Sequence, residues 1–134
     1  MAFFDQLKGS CKMTEEDQIK MAEDIFNHIK TCCITRKNMG LRNFVQVLAW
    51  NYMEFQEWQY AKSGFVFTAL GNPEEELPSY KDDFAECTKQ NRDAILFKLN
   101  DMLHKEGFPE GSVFPITVNF KDGVRYLIKI NIKW

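Results

Sequence analysis

At 134 residues the chain is sized for one domain, long enough to bury a core without disulfide or metal staples. Hydrophobic residues make up 45% and charged residues 27%, a globular balance that excludes intrinsic disorder. The net charge of −2 removes the uniformly basic field of a general polyanion binder, and no apolar run approaches the ~20 residues needed to cross a bilayer.

The opening Met1–Lys8 carries Asp5 and no extended apolar stretch, so it does not read as a signal peptide. Cys11, Cys32, Cys33 and Cys87 are therefore expected as free thiols of a cytoplasmic protein. Thr14-Glu15-Glu16-Asp17 predicts a helix start, with a capping hydroxyl and three acids at the positive end of the dipole. Ile19, Ala22, Phe26, Ile29 and Cys33 recur at helical spacing, giving a helix over about 14–33.

A second helix is predicted over about 41–62, because Leu41, Phe44, Leu48, Tyr52, Phe55 and Trp58 keep the helical period; Phe44–Leu48 also has strand character. Trp50, Met53 and Tyr60 fall off that stripe, leaving this helix apolar around more of its circumference than one contact needs. Gly64 ends it, and 65–70 reads as a short internal strand. After an acidic loop at Glu74–Glu76, a third helix is predicted over about 79–105, with Ile95, Leu99 and Leu103 on one side and Gly107 and Pro109 as its stop.

The C-terminal segment gives the strongest local signal. Phe114, Ile116, Val118 and Phe120 alternate with polar or small residues, and Tyr126, Ile128, Ile130, Ile132 and Trp134 do the same, so strands over about 113–120 and 124–133 form a hairpin. Putting all even positions on one face requires a three-residue loop, Lys121-Asp122-Gly123, that pairs Phe120 with Val124 and Val118 with Tyr126. The expected fold is a single two-layer α+β domain, three helices packed on one face of a small sheet that includes this C-terminal β-hairpin.

Chemistry is sparse. His28 and Cys32 lie one helical turn apart, but the chain has no Cys-x-x-Cys or His-x-x-x-His pair, so no metal is expected. Asp82, Asp83 and Glu86 suit a helix N-terminus without a cation. No glycine-rich phosphate loop is present, no cofactor is expected, and nothing places a base beside a cysteine for thiol catalysis.

The residual feature is a surplus of aromatics, 12 Phe, 4 Tyr and 3 Trp. The leading expectation is a non-enzymatic interaction module, of inhibitor, immunity or adaptor type, binding another protein through Trp50, Met53, Tyr60, Phe97 and Leu127. A second reading places those rings around a small-molecule or catalytic pocket between helices and sheet. A third is nucleic-acid binding by Lys121, Arg125, Lys129 and Lys133, all at odd positions of the hairpin; no membrane partner is expected.

Overall fold

A computed structural model of the chain describes residues 13–50, 52–61, 65–70, 82–120 and 123–134. In order these form helix α1 (Glu15–Asn38), strand β1 (Asn43–Trp50), helix α2 (Tyr52–Ala61), strand β2 (Phe67–Leu70), helix α3 (Asp82–Lys105), and strands β3 (Val113–Phe120) and β4 (Gly123–Lys133). The strands make one antiparallel sheet in the order β2-β1-β4-β3, so the fold is α+β. Among the described residues two long helices of 24 residues, not three, make the layer over the sheet, and α2 is a 10-residue helix between β1 and β2.

Helix α1 begins as its sequence dictates, with the Thr14 side chain accepting from the Asp17 amide at 3.1 Å. It runs past its expected end near residue 33 to Asn38 and stops before Gly40, whose φ of 82° suits a residue without Cβ. There the Leu41 amide reaches back to the Arg36 carbonyl and the Gly40 amide to the Lys37 carbonyl. Its buried face is Met21, Ala22, Ile25 and Ile29, turned from the predicted stripe so that Ile19 is exposed. Helix α3 ends by the same device, with Gly107 at φ 83° and the Phe108 amide bonded to the Leu103 carbonyl.

The predicted helix over 41–62 is corrected to a strand, Asn43–Trp50, and a short helix, Tyr52–Ala61. Phe44, Leu48 and Trp50 share the main core with α1 and α3, while Val47 and Ala49 are buried on the opposite face. A strand covered on both faces loses its alternation, and its broad apolarity then imitates a helix. Trp50 fell off the helical stripe because it follows a period of two.

The hairpin register is also corrected. Phe120 pairs with Gly123, Val118 with Arg125 and Ile116 with Leu127, so even residues of β3 sit beside odd residues of β4. Ile128, Ile130 and Ile132 still face the helices. Phe114, Ile116 and Val118 turn to the other side, where Ile116 and Val118 pack against a second cluster of Val47, Ala49, Leu70 and Leu127. That second cluster selects the register, since the predicted pairing would take Ile116 and Val118 away from it.

Candidate interaction surface

Helices α1 and α3 run parallel. Lys98, in the second half of α3, reaches Gln18 near the start of α1 at 3.2 Å, and Cys33, Ile34 and Lys37 lie beside Glu106 to Pro109 at their ends. There α1 stops at Asn38 and α3 at Lys105, beside the last residues of β4. The result is an open apolar groove of about 330 Å³, floored by Cys33, Phe108 and Ile132, with Ile34 and Trp134 at its sides and Lys37, Lys133 and Glu106 as charged neighbours.

The stop at Gly107 builds the groove. It reverses the chain so that Phe108 enters between the two helix ends, while Pro109 prevents helical continuation. Phe108 and Pro109 also border a second hollow of about 470 Å³, lined by Phe97, Leu103, His104 and Val113. Ile34 is 60% exposed, Trp134 43% and Phe97 76%, so the loop is flanked by large apolar side chains in contact with solvent. The Trp134 amide donates to the Arg42 carbonyl at 3.0 Å, which fixes the backbone that carries the indole.

Among the expected partner-binding residues, Tyr60 and Phe97 are exposed, but Trp50 and Leu127 are each 1% exposed and coat no surface. Trp50 points to the helices and packs its ring 5.0 Å from that of Phe55, which in turn stacks with Trp58 at 6.3 Å. Leu127 belongs to the second cluster. The side chain of Met53 lies outside the described residues, as do the side chains of Asp82, Asp83 and Glu86 and the acidic loop Glu74–Glu76. Trp50, Phe55 and Trp58 thus lie together in the main core.

Ile34, Phe108 and Trp134 were absent from the sequence-based list. Ile34 lies just beyond the expected end of α1, and Trp134 has the parity of the core-facing isoleucines. Only the position where the helices stop shows that Trp134 outruns their cover.

Of the cationic set, Lys121 lies outside the described residues, Arg125 and Lys129 are half-buried, and Lys133 is exposed. All three described cations stand at odd positions of β4, on the face turned away from the helices.

The His28–Cys32 pair exists as geometry. His28 Nε2 lies 2.7 Å from Gln46 Oε1, Cys32 Sγ is 3.6 Å from the same ring nitrogen, and the Phe65 ring covers the imidazole at 4.7 Å. Burial pushes the Cys32 and Cys33 thiols above their ordinary pKa, the opposite of what a nucleophile or thiolate ligand requires. No group of three potential metal ligands forms among the described residues.

The described residues also include no helix long and apolar enough to cross a membrane. No family model matches the chain, and no curated protein or solved structure matches it either.

Proposed function

We propose that this chain is a non-enzymatic interaction module whose apolar groove at the shared end of α1, α3 and β4 receives an apolar segment of a partner protein. The observation that carries this reading is the exposure of Ile34 and Trp134 on either side of the half-buried Phe108. A solvated tryptophan and isoleucine beside a preformed hollow are what an anchor residue of a partner covers, and such contacts release water at little conformational cost. The raised thiol pKa values of Cys32 and Cys33 speak against thiol chemistry at the same place. Lys37 and Lys133 beside the groove suit a partner segment with an acidic flank.

The test compares wild-type protein with Ile34→Asp and Trp134→Ala as baits, with Asn27→Asp as an exposed control on α1. A protein retained by wild type and by Asn27→Asp but lost from both groove variants supports the reading. Equal retention by all four removes it. Sedimentation over a range of concentrations separates a different partner from a second copy of this chain.

A further inference from the structure

The corrected hairpin register gives the sheet face opposite the helices a composition that the sequence did not foretell. Arg125, Lys129 and Lys133 stand at odd positions of β4 on this face. Their neighbours are Asn43, Val45, Val47 and Ala49 on β1, and Phe114, Ile116 and Val118 on β3. Among the described residues of this face, Thr68 and Leu70 of β2 included, there is no Asp or Glu. The described residues of this face thus carry three cations and no acid, in a chain whose net charge is −2.

The face divides into two halves. In one half, Val47, Ala49, Leu70 and Leu127 are buried with Ile116 and Val118 packed against them, and Arg125 lies beside Val118 in this half. The other half is open, with Val45 49% exposed, Asn131 and Lys133 exposed, and Lys129 and Phe114 half-buried side by side. Lys129 Nζ stands 6.0 Å from the centre of the Phe114 ring. An aromatic next to a cation, on a sheet face whose described residues include no acid, can stack a base and hold the adjoining phosphate. Lysines that only guard a sheet from edge-to-edge association do not require that aromatic, and β4 is an interior strand, paired on both sides.

We infer that the open half of this sheet face, centred on Lys129 and Phe114 and extended by Lys133, binds single-stranded nucleic acid. Phosphates follow the line of cations along β4, and one base stacks on Phe114. Affinity comes from charge and stacking, so it is tolerant of sequence. This surface is separate from Ile34 and Trp134; Lys133 also borders the groove, so the test leaves it unchanged.

The probes are fluorescently labelled oligothymidine and oligouridine 15-mers read by anisotropy, a duplex of equal length, and vesicles containing anionic phospholipid. Either single strand should bind more tightly than the duplex, with log affinity falling against log salt at a slope of about −1.4, as expected for about two neutralised phosphates. Lys129→Gln should weaken binding at least threefold and Phe114→Leu at least fivefold, while Lys129→Arg keeps wild-type affinity. Val45→Lys adds a cation to the open half and should tighten binding at least twofold, a gain that misfolding cannot produce. Absence of binding to both single strands, indifference to Phe114→Leu and Val45→Lys, or capture by vesicles alone would each overturn the inference.

Discussion

The guanidinium of Arg92 on α3 donates through Nη1 to the main-chain carbonyl of Ile116 on β3 at 3.0 Å. The same nitrogen reaches the carbonyl of Leu127 at 3.3 Å, and these two residues face each other across the β3–β4 ladder. Arg92 is 3% exposed, lies over the Tyr126 ring at 5.3 Å, and pairs with the partly exposed Asp93 at 2.8 Å. One buried charge thus clamps a helix to the hairpin at the pairing that defines its register.

Arg92→Ala should therefore destabilise the fold by about 2–4 kcal/mol, because it withdraws a charged donor from two inner carbonyls and leaves a void over Tyr126. Arg92→Lys should recover only part of this, since a single ammonium cannot bond the two carbonyls, hold Asp93 and lie flat over Tyr126 at once. Urea unfolding followed by far-ultraviolet circular dichroism checks both values.

Asp24 on α1 makes a second prediction. Burial raises its carboxyl above the ordinary range, with Glu23 adding to the shift while Lys20 and a hydrogen bond from the Trp58 indole oppose it. A carboxyl with a raised native pKa holds its proton longer in the folded chain than in the unfolded one. Stability should therefore fall as pH rises from the ordinary Asp value through the raised one. Asp24→Asn keeps an acceptor for Trp58 and removes the charge, so it should melt higher than wild type at pH 7.5. The gap should shrink at pH 4. Melting curves of the two proteins at both pH values measure this difference.

Cysteine reactivity offers a third check. The Cys32 and Cys33 thiols are held above their ordinary pKa by burial, and Cys33 also by its neighbour Cys32. With Cys11 and Cys87 replaced by serine, the remaining pair should react with Ellman's reagent at pH 7.5 at least several-fold more slowly than free glutathione. Faster reaction would point to a thiolate and reopen thiol chemistry at His28.

Much of the architecture was legible, and particular residues show where legibility ended. Thr14 capped α1 and Gly107 ended α3 as their residue types require. The span Val113–Phe120 followed from strict alternation. Strand β1 was hidden because Val47 and Ala49 are buried on one face while Leu48 and Trp50 are buried on the other, which erased the period of two. The register slipped for a related reason. The rule that even residues face one core presupposes a single core, and Leu127, which broke the polar side of the hairpin, is part of a second. The groove was illegible because it depends on where the helices stop relative to Trp134, a three-dimensional length that periodicity does not encode.

Fluorescence distinguishes the surface tryptophan from the core. Trp50 and Trp58 are each 1% exposed, so acrylamide quenching should come mainly from Trp134. Trp134→Phe should remove most of the quenchable emission and cost little stability, less than about 1 kcal/mol, because the ring is already solvated. A bound partner should protect the wild-type signal from quenching.

The most direct measurement is site-specific photo-crosslinking in the protein's native cells, with a benzophenone side chain placed at Ile34 and, separately, at the exposed Asn27. A groove that receives a partner gives a discrete protein adduct from position 34, none from position 27, and loss of the adduct when Trp134→Ala is added. No adduct from position 34, or the same adduct from both positions, would contradict the account.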